Sequence, residues 1–312
     1  MPVRPGGSPL DALSASRGLP PGRTGMVLQE DVAMELFAPV NKIIPFSLVD
    51  GPGSRCSVFL QGCNIACAYC HNPETQNLCR DCGACVDQCP AGALYREGRH
   101  VRWNKAACVQ CDTCIHVCPH KASPKIEWLT PRDVFETVHS YQPFIRGITV
   151  SGGECMMHPE WLCELFGLCR EAGLGTLIDS NGCVDFGPHE DLLALCDGVM
   201  LDVKAWDADV FHRLTCYGNE VVKKNLALLA DRDKIEELRI VVVPGWNDPE
   251  ETIAGIAETL GARTAATRLK LIKFRNFGVV GELSGAASPS DERMAELEAQ
   301  AHAAGFADVQ IR

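Results

Sequence analysis

The sequence predicts an α/β fold, a partial (β/α)6 barrel of the TIM type interrupted by a small inserted domain, and three observations carry that prediction. Six short apolar runs recur along the chain, helical stretches fill the gaps between the last five, and one cysteine-dense segment breaks the rhythm after the first. The runs are Ser57 to Leu60, Gly147 to Val150, Gly175 to Ile178, Val199 to Leu201, Arg239 to Val243 and Arg268 to Ile272. Their near-continuous apolar character is that of strands buried on both faces. Six βα units are too few for a closed eight-stranded barrel, so the barrel is expected to be open.

Three helix starts share one chemistry. Thr130-Pro131-Arg132-Asp133, Asp248-Pro249-Glu250-Glu251 and Ser288-Pro289-Ser290-Asp291 each place a capping oxygen first, proline at N1 and a carboxylate at N3. Gly305 is the expected stop of the last helix. Residues 1–37 carry much Pro, Gly, Ser and Arg without apolar periodicity up to Ala33 and are read as a disordered or mis-annotated extension, with Met34 an alternative start. The barrel is then expected over 38–75 and 126–312, and the insertion over 76–125.

Composition narrows the function. The chain has 312 residues, 46% hydrophobic, with a formal net charge of −11. No stripe of Lys and Arg is present to neutralise phosphates, which argues against nucleic acid as a partner. No apolar run approaches the roughly 18 residues of a membrane span, and a cytoplasmic monomer is expected. The 18 cysteines are the unusual feature. Disulfide scaffolds are short and secreted, whereas this chain is long and shows no signal peptide, so reduced, metal-binding thiols are the favoured account.

Eleven of the 18 cysteines lie between Cys63 and Cys118. Within the insertion, Cys79, Cys82, Cys85 and Cys89-Pro90 repeat the spacing of Cys108, Cys111, Cys114 and Cys118-Pro119. Each is C-x2-C-x2-C-x3-C-P, the bacterial ferredoxin run, in which the fourth cysteine ligates the other cluster. Cys79, Cys82, Cys85 and Cys118 are thereby assigned to one [4Fe-4S] cluster, and Cys108, Cys111, Cys114 and Cys89 to a second. A zinc ribbon competes weakly, because it uses pairs of C-x2-C rather than quartets. Just past the first strand, Cys63, Cys67 and Cys70 form C-x3-C-x2-C. Three thiolates on a four-iron cube leave one iron open and reactive, whereas a zinc site completed by His71 is the competing reading.

Further motifs extend this pattern. They are Val49-Asp50-Gly51-Pro52-Gly53-Ser54-Arg55 before the first strand, Ser151-Gly152-Gly153-Glu154 after the second and Asp179-Ser180-Asn181-Gly182 after the third. Asp202-Val203-Lys204 follows the fourth and Pro244-Gly245-Trp246-Asn247-Asp248 the fifth. With Tyr69 as the aromatic of the cysteine motif, these residues resemble the radical S-adenosylmethionine (SAM) enzymes, and within them the glycyl radical enzyme activases of the pyruvate formate-lyase activating enzyme family. The resemblance spans roughly Val40 to Asp248. With Lys42-Ile43-Ile44-Pro45-Phe46-Ser47, the dicluster insertion and Asp202-Val203-Lys204-Ala205-Trp206, the chain looks most like the YjjW-type activases. One departure is Arg275, which stands where similar activases often carry a histidine.

The resemblance implies an oxidoreductase of anaerobic chemistry with three [4Fe-4S] clusters and SAM. Cys63, Cys67 and Cys70 would hold the SAM-binding cluster, and Tyr69, Cys70, His71, Gly152, Gly153, Glu154, Asp179, Asn181, Asp202 and Lys204 would contact the cofactor. Glu154 would meet the SAM ammonium or serve as a structural prop, and Gly152-Gly153, Asp179-Asn181 and Asp202-Lys204 each have an ordinary turn or ion-pair reading beside the functional one. Reductive cleavage of SAM would give a 5′-deoxyadenosyl radical that takes hydrogen from a backbone glycine in the C-terminal loop of a glycyl radical enzyme. That loop is expected to enter the barrel mouth near Asp50 to Arg55, where all the motifs converge. A flavodoxin or ferredoxin would donate the electron. Alternatives are a radical SAM maturase of a peptide or small molecule, and a non-catalytic multi-cluster electron carrier. Cys56, Cys163, Cys169 and Cys196 read as core residues, Cys155 and Cys183 follow the SAM-facing motifs, and Cys216 has no assignment.

Overall fold

The computed structural model describes residues 35–312, so most of the expected N-terminal extension, with Met34, lies outside the described residues. The chain opens with β1 (Ala38–Ser47) and β2 (Arg55–Leu60), and the cysteine motif follows β2 directly. Next come the hairpin β3 (Leu94–Glu97) and β4 (His100–Trp103), the short helix α1 (Thr113–His116) and β5 (Glu127–Leu129). From there strand and helix alternate: α2 (Pro131–His139), β6 (Gly147–Gly152), α3 (Pro159–Glu171), β7 (Gly175–Ser180), α4 (Glu190–Leu195) and β8 (Gly198–Asp202). The chain continues through α5 (Ala208–Thr215), α6 (Glu220–Asp231), β9 (Ile235–Val242), α7 (Pro249–Leu260), β10 (Arg268–Lys273), α8 (Asp291–Ala303) and β11 (Asp308–Ile311).

The six runs expected as strands are β2 and β6 to β10, and they are parallel neighbours in one nine-stranded sheet of order β11-β10-β9-β8-β7-β6-β2-β1-β5. The sheet is α/β and mostly parallel: β11 extends it in parallel at one edge, and β1 and β5 add antiparallel strands at the other. Its curl is visible in what lines one cavity of about 820 Å³. Leu48, Val49 and Gly51, leading into β2, share that cavity with Gln310 and Ile311 of β11, near the opposite end of the strand order. The core is continuous, with Val58, Ile148, Ile178, Leu201, Ile240 and Leu271 of successive strands fully buried.

Two of the three expected helix starts differ in detail. Thr130 caps α2 as predicted: its hydroxyl accepts from the Asp133 amide while Asp133 accepts from the Thr130 amide, a complete capping box. Asp248 precedes Pro249 but does not cap α7. Its carboxylate is drawn away to the amides of Trp206 and Asp207 after β8, joining two loops at the strand ends. The last helix begins at Asp291 with Ser290 as its cap, two residues after the expected Ser288, because the Ser290 hydroxyl accepts from the Arg293 amide.

The 76–125 segment has a small core of its own in which Cys85, Leu94 and Cys114 are buried against Val86, Val101 and Ile115. The hairpin register pairs Leu94 with Trp103. Gln61, 1% exposed at the end of β2, donates its side-chain amide to the carbonyls of Glu74 and Asn77 and accepts from Asn41 of β1. That single residue thus fixes where the segment leaves the barrel.

Candidate functional site

The cysteine loop is held by main chain. The Gly62 amide donates to Thr75, Cys63 to Gln76, and Ala66 and Ala68 to Thr215 and Leu214 at the end of α5. From the next strand, Gly153 donates to Leu60 and Glu154 to Gly62. The loop is therefore placed before any side chain contributes, at the C-terminal ends of parallel strands where catalytic loops of this architecture gather.

One cavity of about 360 Å³ collects nearly every residue expected at the site: Cys63, Cys67, Tyr69, Cys70, His71, Gly152, Gly153, Asp179, Asn181, Asp202 and Lys204. Burial pushes the Cys63 thiol up to about 11 and the Cys67 thiol up to about 12, with Lys204 opposing the shift in both. Such thiols are neutral on their own, and a bound cation is what deprotonates them. Among the described residues no three His, Cys, Asp or Glu side chains are arranged to hold a single metal ion. Three soft thiols around a cavity suit a cluster, which spreads its sulfur ligands over several irons.

Charge in the cavity is paired. Lys204 Nζ lies 2.9 Å from Asp202 and 5.6 Å from the Tyr69 ring centroid. Burial disfavours its ammonium, but the Asp202 carboxylate outweighs that and holds it well above the ordinary lysine value. Asp179 is raised by burial and stabilised by Arg239 Nη1 at 2.9 Å and the Ser151 hydroxyl at 3.0 Å. Arg239 reaches on to Glu237 at 2.7 Å, and Glu237 to Lys270 at 2.6 Å. Sequence reasoning missed Arg239, because an arginine opening an apolar run looks like a strand start. The signal was present: Glu237, Arg239 and Val241 alternate along β9, with Arg239 and Val241 lining this cavity. Asn181 donates to Asn64 at 2.9 Å and toward Cys63 Sγ at 3.6 Å.

Glu154 is held by the protein's own donors. It is 1% exposed, and its carboxylate accepts from the Met156 amide and Ser180 hydroxyl at 3.0 Å each and from the Asn181 amide at 2.8 Å. Burial raises it to about 7, the three hydrogen bonds only partly compensating. A carboxyl raised on folding stabilises the fold fully below its unfolded value of 4.5, and that contribution is lost as pH rises through about 7. Glu154→Gln is therefore expected to flatten the decline in unfolding free energy between pH 5 and 8 by on the order of 3 kcal/mol, measured by urea titration at each pH. An unchanged slope in the variant would show that Glu154 is already ionised in the fold.

The expected convergence at the mouth also needs correction for one motif. Asp50 to Arg55 lead into β2 and so lie at the opposite, N-terminal end of the strands. Arg55 is buried there, donating to the carbonyls of Ile148 and Gly175 at 2.6 and 3.1 Å, while Asp50 accepts from Ser57 at 2.7 Å and reaches the cavity from that side. His71 Nε2 bonds the Arg275 carbonyl at 2.8 Å and its ring stacks on Phe274, so the loop after β10 engages the site through its backbone. The quartets of the insertion line two further small cavities. One is bordered by Cys79, Cys82, Cys85 and Cys118, the other by Cys89, Cys108, Cys111 and Cys114. Cys56, Cys155, Cys169, Cys183 and Cys196 are buried, Cys163 is half-buried, and Cys216 is exposed in a left-handed conformation after α5.

Residues 57–257 match the Radical SAM superfamily. The chain is 30% identical over 295 residues to the indoleacetate decarboxylase activating enzyme of Tractidigestivibacter scatoligenes, covering 84% of this chain and 94% of that one. It is 32% identical to the choline trimethylamine-lyase activating enzyme of Oleidesulfovibrio alaskensis over 73% of this chain and 79% of the relative. Among solved structures, Streptococcus suis SuiB bound to S-adenosylmethionine shares the fold at 14% identity and a TM-score of 0.51, over 81% of this chain and 48% of that longer one.

Proposed function

The chain belongs to the radical SAM superfamily and, with its relatives, to the glycyl radical enzyme activating enzymes, and from that premise we propose that Cys63, Cys67 and Cys70 hold the [4Fe-4S] cluster at which SAM binds. The observation that carries the assignment is the one cavity shared by these thiols, Gly152-Gly153 and the Asp202–Lys204 and Asp179–Arg239 pairs. When bound, the cluster and SAM supply a reductive cleavage whose carbon radical takes hydrogen from a backbone glycine of a partner enzyme.

The chain's own residues bind and orient. Gly152 and Gly153 line the cavity where a Cβ would strike the main chain of Leu60 and Gly62, so bare backbone here lets the strand end and the cysteine loop cross closely and fixes the cavity wall. Lys204 stays protonated beside Asp202 and faces the thiols, a fixed cation for the anionic end of an amino-acid ligand. Asn181 directs an amide N–H at Cys63 and favours its thiolate form. Ile65, Val241 and Ile272 close the remaining wall with apolar surface and limit water.

The larger cavity of about 820 Å³ joins this one through His71, Arg239 and Ile272 and opens beside Leu48 to Gly53. It is the proposed path of an extended glycine-bearing segment of the partner. The two cysteine quartets are proposed to hold two further [4Fe-4S] clusters in a ferredoxin-like insertion over 76–125, the feature that makes the chain look most like the YjjW-type activases. Their support is that each cross-paired quartet borders its own cavity.

The test is direct. Anaerobically reconstituted protein, reduced with dithionite and given SAM, is expected to form 5′-deoxyadenosine, and mixing with its glycyl radical enzyme to give a glycyl radical signal in EPR. No 5′-deoxyadenosine would overturn the proposal, whatever the fold.

A further inference from the structure

The two quartets differ in how they are tied to the barrel. Both flanks of the Cys79/Cys82/Cys85/Cys118 quartet are pinned to the stretch that holds the catalytic loop. The Cys63 amide donates to Gln76, the Gln61 side chain grips Glu74 and Asn77, and Cys79 follows two residues after Asn77. On the other flank, Ala122 bridges Asn77 and the Ser123 amide donates to Glu74, just beyond Cys118. The second quartet is anchored elsewhere. Lys105 pairs with Glu127 of β5 at 2.6 Å, and β5 is the sheet edge, two strands from β2.

Exposure alone does not order them, since Cys82 and Cys111 are both exposed. The second quartet, however, carries the more exposed apolar side chain, since Leu78 and Val117, beside Cys79 and Cys118 of the first, are 44% and 37% exposed. Val109, between Cys108 and Cys111, is 65% exposed, and Trp103 borders both that quartet's cavity and a groove of about 580 Å³. Arg102 and Lys105 flank Trp103 with side chains half or more exposed. The insertion as a whole is basic, with seven Lys and Arg to four Asp and Glu over 76–125 in a chain whose net charge is −11, and this excess is shared by both quartets.

We propose that the Cys89/Cys108/Cys111/Cys114 quartet receives electrons from a one-electron carrier protein with an acidic docking face, and that the Cys79/Cys82/Cys85/Cys118 quartet hands them to the Cys63 loop. The inference rests on the cluster assignment above. At each handover one electron moves: the carrier is oxidised by one, each quartet's cluster is reduced and reoxidised by one, and no atom or proton is transferred.

The test uses reconstituted holoprotein, reduced flavodoxin as the carrier and dithionite as a small reductant, with cluster bleaching followed by stopped-flow absorbance. Val109→Glu is expected to slow reduction by flavodoxin about tenfold, leaving the dithionite rate and the iron content unchanged, whereas Arg80→Glu, beside Cys79, changes the flavodoxin rate less than about twofold. If Val109→Glu loses iron, Arg102→Glu, which leaves the Lys105–Glu127 anchor intact, serves instead, with an expected loss of about threefold and a shallower salt dependence. Slowing by Arg80→Glu alone, or equal slowing by variants at both quartets, overturns the order. Parent protein with only about four irons per chain overturns the cluster assignment itself, a separate failure.

Discussion

Replacing Cys63, Cys67 and Cys70 together by alanine is expected to lower iron from about twelve to about eight per chain and to abolish 5′-deoxyadenosine formation, with the fold retained. The fold should survive because the loop is placed by backbone bonds, from Gly62 to Thr75, Cys63 to Gln76 and Ala66 to Thr215, which alanine leaves intact. The thiols themselves give the loop little: half-buried and neutral, each adds the packing of a small side chain. The iron loss should be confined to one cluster because the two quartets border separate cavities. Iron analysis, circular dichroism and chromatographic detection of 5′-deoxyadenosine check the three parts. Iron falling to near zero would mean that the quartets depend on the catalytic loop for their own assembly. About one zinc and no iron in natively purified parent protein would remove the cluster reading altogether.

Much of this was legible in the sequence, for reasons that residues make plain. The six parallel strands read clearly because both of their faces are buried, so apolar residues run on without alternation; Val58, Ile148 and Leu271 are fully buried. The strands at the two edges escaped notice because β1 is half-exposed along much of its length and contains Pro45, and because β5 beside it and the parallel β11 at the other edge are only three and four residues long. The cysteine sets stood out because their spacing repeats locally, and the structure gathers each set at one cavity. The Asp179–Arg239–Glu237–Lys270 network did not stand out, since its members lie on three strands and meet only through the sheet register. The same limit applied to Glu154, whose orientation depends on an amide of the next strand's loop. Asp248 shows how such a partner overrides a local signal: its sequence reads as a helix cap, but its oxygens go to Trp206 and Asp207.

Gly153→Ala is expected to destabilise the protein by on the order of 3 kcal/mol and to release most of the iron of the catalytic cluster while sparing the quartets. A Cβ on Gly153 would land on the carbonyl of Gly62, well inside contact, and 3.0 Å from the carbonyl of Thr75. Both obstacles are backbone, so no rotamer change relieves them. They are also the carbonyls that build the loop, since Gly62 accepts from the Glu154 amide and Thr75 from the Gly62 amide. Relief therefore requires the cysteine loop to move away from β6, which loosens the placement of Cys63 one residue further on. The control is Gly167→Ala in the middle of α3, where a new Cβ meets nothing within 4 Å and removes the helix penalty of glycine. It should leave iron unchanged and raise stability by about 0.5 to 1 kcal/mol. Denaturant unfolding and iron analysis on both variants separate the two effects. A Gly153→Ala protein as stable as Gly167→Ala and with full iron would show that the strand end and the cysteine loop can part without cost, and the close backbone crossing would then have no role in holding the cluster.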